Sequence, residues 1–69
     1  MDARVVVGRN VKRLRALRGM TQERLSELSN YPQQMISELE NGKGNPTLSS
    51  LADIARALEV SLGDLVAEA

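Results

Sequence analysis

Residues 21–42 contain two short amphipathic segments separated by a four-residue break, in the order TQERLSEL, SNYP and QQMISELENG. Each segment places its apolar residues on one helical face, Leu25 and Leu28 in the first and Ile36 and Leu39 in the second. In the break, Asn30 can take the left-handed conformation that closes a helix, and Pro32 is compatible with the first turn of the next one. We therefore predict a helix-turn-helix, whose second helix presents a polar face outward.

The apolar spacing elsewhere predicts three further helices. Helix 1 covers residues 4–18, with inward positions Val7, Val11, Leu14 and Leu17. Helix 4 follows a Thr47 cap and carries an apolar stripe of Leu48, Leu51, Ile54, Ala55 and Leu58. Helix 5 opens with a capping box from Ser61 to Asp64 and contains Leu62, Leu65 and Val66. We expect one all-α domain over residues 1–69, built as a compact globule of five short helices.

The composition argues against several classes of function. The chain has no cysteine and no histidine, so the common thiolate and imidazole metal ligands are missing, and we expect neither a metal nor a cofactor. Without those side chains or a glycine-rich phosphate loop, we expect no enzymatic activity. No apolar run approaches the roughly 20 residues that cross a bilayer, and the start does not resemble a secretory signal. A cytoplasmic location is the expectation.

The charges are unevenly distributed along a chain whose net charge is zero and whose pI is about 6.2. Residues 1–18 carry six cations against one acid, a balance of +5, and residues 19–69 carry three cations against eight acids, a balance of −5. A positive end of this kind can steer a domain onto phosphates. The alternative is a solvated helix face that serves only solubility, and the charges alone leave both interpretations open.

The polar face of the second motif helix is the main indication of DNA binding. Gln33 and Gln34 begin this helix, and Ser37 and Glu38 lie one turn further along the same face. A glutamine amide offers one donor and one acceptor, which match the major-groove edge of adenine. We predict base contacts from these four residues to double-stranded DNA. Glu38 can either accept from cytosine N4 or repel phosphate and so disfavour wrong sites. The alternative to base contacts is that Gln33 and Gln34 are only good surface helix formers.

Residues on both sides of this helix are candidates for phosphate contacts. Thr21 and Gln22 lie at the positive N-terminal end of helix 2, where backbone N–H groups favour an anion. Asn41 and Lys43 leave the recognition helix in a glycine-bearing turn. Ordinary helix capping is the alternative explanation for Thr21 and Asn41.

Arg15 and Glu40 form a predicted structural ion pair. Helical phase places Arg15 beside the apolar stripe of helix 1 and Glu40 beside Ile36 and Leu39. Charges this close to a core should be paired. Of the other helix 1 cations, we expect at most two to reach DNA.

With these residues in order, the chain resembles the Cro/C1-type helix-turn-helix family, the Xre-like regulators that include the lambdoid phage repressors. The resemblance rests on matching residues in each part of the chain. In order they are Val7-Gly8, Val11, Leu14-Arg15, Thr21-Gln22, Leu25, Ile36, Leu39-Glu40-Asn41-Gly42-Lys43, Pro46, Ile54-Ala55, Ala57-Leu58, Val60-Ser61-Leu62 and Leu65. It implies transcriptional regulation, as in a repressor, by a dimer on a palindromic operator. It also implies that Arg15, besides pairing with Glu40, lies near a phosphate.

The chain departs from the family pattern at three positions. Asn30 and Glu59 stand where the family usually has glycine, and a glutamate carries more strain than an asparagine in a left-handed conformation. Pro32 replaces the hydroxyl residue that commonly caps the recognition helix. The alternative function is an antitoxin or a protein-interaction module with the same fold, which an exposed apolar stripe on the recognition helix would have favoured.

The C-terminal region is the predicted dimer surface. One small core cannot bury all three apolar side chains of helix 5, so some apolar surface is expected to stay exposed. The three residues are Leu62, Leu65 and Val66. One recognition helix covers only a few base pairs, so two copies related by a dyad would be needed to define a site. We therefore expect a homodimer that associates weakly in solution and more strongly on DNA.

Overall fold

The computed structural model describes residues 2–68 and contains five α-helices joined by short turns. They are α1 (Ala3–Leu17), α2 (Gln22–Ser29), α3 (Gln33–Glu40), α4 (Leu48–Ala57) and α5 (Leu62–Val66). Residues 2–68 contain no β-strand. The predicted all-α fold of five helices is confirmed. No helix in this part of the chain combines the length and apolar character needed to span a bilayer.

Side-chain caps define where four of the helices begin. The hydroxyl of Thr21 accepts a hydrogen bond from Arg24 N at 3.0 Å, and Thr47 Oγ1 accepts one from Ser50 N at the same distance. The capping box predicted for α5 is present, with Ser61 Oγ and Asp64 each accepting from the other's backbone N–H. Asp2 caps α1 through Arg4 N. These caps satisfy N–H groups that the first helical turn leaves unpaired.

The core lies at the centre of the five helices and is almost wholly aliphatic. Helix α1 packs on α3 and α5, α2 packs on α3 and α4, and α4 packs on α5. The buried side chains of the core cluster are Val7, Val11, Leu25, Ile36, Leu39, Ile54, Ala55, Leu58 and Leu65. Leu25 of α2 and Ile36 and Leu39 of α3 are therefore anchored in one core, which fixes α3 with its opposite face outward.

Three leucines predicted to face inward are exposed, and helix ends explain the difference. Leu17 is the last residue of α1 and Leu48 is the first of α4, and their side chains are 73% and 70% exposed. Leu28, in the last turn of α2, is 46% exposed and borders a surface groove with Ala57. Helical periodicity extends to the final residue of a segment, whereas the core does not reach that far.

Helices α1 and α3 approach each other closely at Gly8. A Cβ atom built on Gly8 would overlap the carbonyl oxygen of Leu39 and lie 3.2 Å from the carbonyl carbon of Glu40. Only the absence of a side chain allows this contact between one helix and the backbone of the other. The end of α3 is consequently held against the first half of α1.

The buried side chain of Asn10 joins α1 to the end of the chain. Its Nδ2 atom donates to Leu65 O at 2.9 Å and to Ala67 O at 2.8 Å. Both amide hydrogens are used, and the two carbonyls that accept them flank Val66. Asn10 therefore holds the five-residue α5 in place, a role that sequence inspection did not assign to it.

Within residues 2–68, two non-glycine residues adopt left-handed backbone conformations, as expected where they replace the usual glycines. Asn30 has φ of 57° after α2, and Glu59 has φ of 59° after α4. Asparagine tolerates this region better than glutamate does. The strain predicted for Glu59 therefore has a conformational basis.

Candidate nucleic-acid interface

The outward face of α3 is polar and open to solvent. Gln33, Gln34 and Glu38 are exposed and Ser37 is half-buried, while Ile36 and Leu39 on the opposite face are buried. Pro32 stands at the N-cap and gives the helix no side-chain hydrogen bond. The two glutamines therefore lie at a helix start whose surroundings leave them free to contact a partner.

The N-terminal end of α2 lies beside the C-terminal end of α3. Thr21 caps α2, and Gln22 follows with a half-buried side chain. Gln22 Nε2 donates to Glu40 Oε1 at 3.0 Å. This contact, which sequence inspection missed, ties the first residue of α2 to the last residue of α3.

Arg15 and Glu40 form a two-pronged ion pair between α1 and α3. Arg15 Nε lies 2.7 Å from Glu40 Oε2, and Arg15 Nη2 lies 3.0 Å from Glu40 Oε1. The hydrogen bond to Glu40 raises the pKa of Arg15, against the opposing effect of burial. The side chain of Glu40 is only 3% exposed, so this pairing compensates an almost fully buried carboxylate.

The guanidinium of Arg15 also fixes the turn between α1 and α2. Its Nη1 donates to Met20 O at 2.8 Å, just before the Thr21 cap. Arg15, Gln22 and Glu40 thus form one hydrogen-bonded network that joins α1, α2 and α3; we call it the three-helix network. It brings together three of the predicted phosphate or ion-pair residues.

The turn after α3 presents Lys43 to solvent. Lys43 N donates to Glu38 O at 2.8 Å, and Asn41 Nδ2 donates to Ser37 O at 2.9 Å, so both residues cap the end of the helix. Gly42 and Gly44 have φ of 75° and 80°, which let the chain turn sharply on either side of Lys43. Within residues 2–68 the Lys43 ammonium has no acidic partner within 4.0 Å.

The cations of α1 and of its C-cap residue, Arg18, divide into paired and unpaired groups. Arg4 pairs with Asp2, and Arg18 donates to Glu59 O and lies 3.9 Å from its carboxylate. In the described part of the chain, no ion pair is formed by the exposed cations Arg9, Lys12 and Arg13. Their spacing of three and four residues places them on one outward face of α1. This face carries much of the positive charge of the N-terminal end.

The fold agrees with that of similar proteins. A family model described as Helix-turn-helix, HTH_3, matches residues 11–65. The chain belongs to this Cro/C1-type helix-turn-helix family. It is a DNA-binding transcriptional regulator.

Similar proteins support this helix-turn-helix assignment. The HTH-type transcriptional regulator y4dJ of Sinorhizobium fredii is 47% identical over 66 residues, which cover 96% of this chain and 86% of that protein. The crystal structure of the restriction-modification controller protein C.AhdI from Aeromonas hydrophila superposes with a TM-score of 0.87. It is 29% identical, over 90% of this chain and 94% of that chain. The clp gene regulator ClgR of Corynebacterium glutamicum gives a TM-score of 0.87 at 32% identity, over 91% of this chain and 67% of that chain.

Proposed function

We propose that this helix-turn-helix regulator is a repressor that binds a palindromic operator as a homodimer, with α3 in the major groove. The observation that carries the proposal is the two-sided character of α3. Ile36 and Leu39 are buried in the core, whereas Gln33 and Gln34 are exposed at its start. A recognition helix contacts base edges with its N-terminal residues, which is where the two glutamines lie.

In this proposal Gln33, Gln34, Ser37 and Glu38 read the bases. The two amides suit adenine, the serine hydroxyl suits several edges, and the glutamate accepts from cytosine N4. The exposed face of α3 bears no apolar stripe. Met35, which is 42% exposed, is a single apolar side chain there. A polar face of this kind supports DNA over a protein partner.

Phosphate contacts come from both ends of the motif. Thr21 and Gln22 lie at the start of α2, and Asn41 and Lys43 follow the end of α3. The Thr21 hydroxyl accepts from Arg24 N in its cap and keeps its own proton to donate. Arg15 uses three N–H groups inside the protein, so it has two spare donors at the same place.

Binding measurements on substituted proteins test the base contacts. A cognate duplex is first selected from random DNA with the purified domain, and affinities are compared on this duplex and a scrambled one. Gln33→Ala should cost about 1–3 kcal/mol on the cognate duplex and little on the scrambled one. Lys43→Ala is the control, because it should weaken both complexes equally and lower the salt dependence by about one charge. Equal losses on the two duplexes for Gln33→Ala would show that it does not read bases.

The surface formed by α5 and the first turns of α1 supports the dimer. Leu65 is buried and Leu62 is half-buried, whereas Val66 is 51% exposed. Val66 borders a groove with Ala3, Val6 and Val7. Two copies related by a dyad would read half-sites roughly 34–36 Å apart, about one helical turn of DNA.

Sedimentation with and without a palindromic duplex tests the dimer. We expect weak self-association of the free protein and two chains per duplex at saturation. Val66→Glu should reduce the second binding event, whereas Leu28→Glu, at a leucine of similar exposure in α2, should not. A saturated complex that contains one chain would refute the dimer.

A further inference from the structure

The three-helix network restricts how Gln22 can present its amide. Glu40 is a carboxylate and can only accept, so the nitrogen of the Gln22 amide has to face it. Turning the amide over would place Gln22 Oε1 against Glu40 Oε1, oxygen against oxygen. The side chain therefore has one defined orientation before any DNA is bound.

The same arrangement leaves Gln22 with a spare donor. A primary amide nitrogen carries two hydrogens, and one is taken by Glu40. The other has no hydrogen-bond acceptor within residues 2–68. Beside it are the backbone N–H groups at the start of α2, which also favour an anion.

Arg15 allows the carboxylate of Glu40 to lie near the DNA backbone without repelling it. A bare Glu40 next to a phosphate would repel it, but the guanidinium forms two hydrogen bonds with Glu40 and cancels its charge. Glu40 can then act on Gln22 as a hydrogen-bond acceptor with little net repulsion toward the DNA.

We propose that Glu40 is a positioning residue for DNA binding, which holds the Gln22 amide so that its second N–H meets a backbone phosphate. Glu40 touches no DNA itself and acts through Gln22. The inference rests on the proposed phosphate contact of Gln22 and adds the residue that orients it. It predicts that the two side chains are energetically coupled in DNA affinity.

A double-mutant cycle measures this coupling. The four proteins are the wild type, Gln22→Ala, Glu40→Gln and the double variant, each tested for affinity to a duplex of random sequence. Glu40→Gln leaves one acceptor oxygen where Arg15 and Gln22 now use two, so it weakens the bond to Gln22. It also removes a negative charge near DNA and loosens Arg15, but these two effects are present with or without Gln22, so the cycle cancels them. The part that remains is the positioning effect.

We compare the change in DNA affinity caused by Glu40→Gln in two backgrounds, wild type and Gln22→Ala. The change should be about 2-fold to 10-fold less favourable in the wild-type background, which is the range for the loss of one hydrogen bond. A coupling of one within error would overturn the proposal. Thermal unfolding of the same proteins provides the second readout. Coupling in stability without coupling in the affinity of the folded protein would also overturn it, because the contact would then be structural only.

Amide exchange in the wild-type protein keeps the test valid if Glu40→Gln fails to fold. In the free protein, one Gln22 side-chain hydrogen should exchange more slowly than those of the exposed Gln33 and Gln34. On adding the random duplex, the second Gln22 hydrogen should become protected too. A Gln22 amide that exchanges as fast as Gln33, or is unchanged by DNA, would refute the inference. Since random DNA reports backbone contacts alone, these results are separate from any failure of the base contacts.

Discussion

Gly8 of α1 lies directly against the carbonyl oxygen of Leu39, so that the two helices meet backbone to backbone. The contact brings the last turn of α3 under α1, and Glu40 follows one residue later in reach of Arg15. The glycine thus determines where the three-helix network can form. Its effect on the DNA-binding motif is indirect but strong, since α3 has only eight residues.

Gly8→Ala should destabilise the domain. The added methyl group meets backbone atoms, which cannot rotate away, so α1 has to move from α3. Overpacking of this kind typically costs about 1–3 kcal/mol. Chemical denaturation measures the loss. The control is Gly63→Ala in α5, where the nearest atom to the new Cβ is Ser61 Oγ at an ordinary 3.6 Å, and stability should be equal or slightly higher. Equal stability of Gly8→Ala and wild type would contradict the close contact.

Asn10→Leu should loosen α5. The substitution keeps the approximate volume but leaves the carbonyls of Leu65 and Ala67 without their donor. Each unsatisfied buried group costs about 1–3 kcal/mol, less where water reaches it. Amide exchange within α5 should rise and the melting temperature should fall. Asn41→Leu, which removes an exposed bond to Ser37 O, is the matched control and should change stability little. If α5 exchanges equally slowly in both variants, Asn10 is not its tether.

Glu59→Gly should stabilise the domain. A non-glycine residue in the left-handed region costs roughly 1–2 kcal/mol of folding free energy. Glycine removes this cost, but part of the gain is lost because glycine also makes the unfolded chain more flexible. The lost Arg18 contact is long and exposed, so it contributes little. The opposite change, Gly19→Ala at φ of 62°, has no neighbour within 4 Å and should destabilise through backbone strain alone. Thermal melts that move in the same direction for both variants would contradict this explanation.

Tyr31 should ionise at higher pH in the folded protein than in the unfolded chain. Burial raises the pKa of Tyr31 above its ordinary value of 10.0, and the negative charge of Glu38 raises it further. Tyr31 is the only tyrosine and there is no tryptophan, so phenolate absorbance reports this residue alone. Because the folded pKa is the higher one, the stability it contributes is complete below the unfolded pKa and is lost as pH rises through the folded pKa.

Glu38→Gln separates the two causes of this shift. The pKa of Tyr31 should fall but remain above that of the unfolded chain, because burial is the larger cause. Glu23→Gln, an acid in the first turn of α2, is the control and should leave it unchanged. A folded and an unfolded chain that titrate together would refute the burial of Tyr31.

Local patterns predicted the helices well because their causes are local. Apolar spacing, hydroxyl caps and the Ser61–Asp64 box lie within a few residues of the helices they define. Helical phase also placed Arg15 and Glu40 beside the core, and their side chains do pair. The pairing joins two helices, whereas each of the other features depends on one helix at a time.

Other features that depend on two helices are not visible in local sequence patterns. The partners of Asn10 are 55 and 57 residues away along the chain, so no local pattern points to them. The bond from Gln22 to Glu40 needs the packing angle of α2 on α3. Leu17 and Leu48 were assigned to the core because periodicity does not show where a core ends.

The opposite charges of the two ends of the chain have a consequence for how copies meet in solution. With no net charge, two molecules have little overall repulsion, and at low ionic strength the positive α1 face of one attracts the acidic end of the next. Such head-to-tail contacts repeat without closing, unlike a two-fold pair. Aggregates that grow in dilute buffer and dissolve at physiological salt would therefore reflect this polarity. Only association that persists in salt belongs to the apolar surface at Val66.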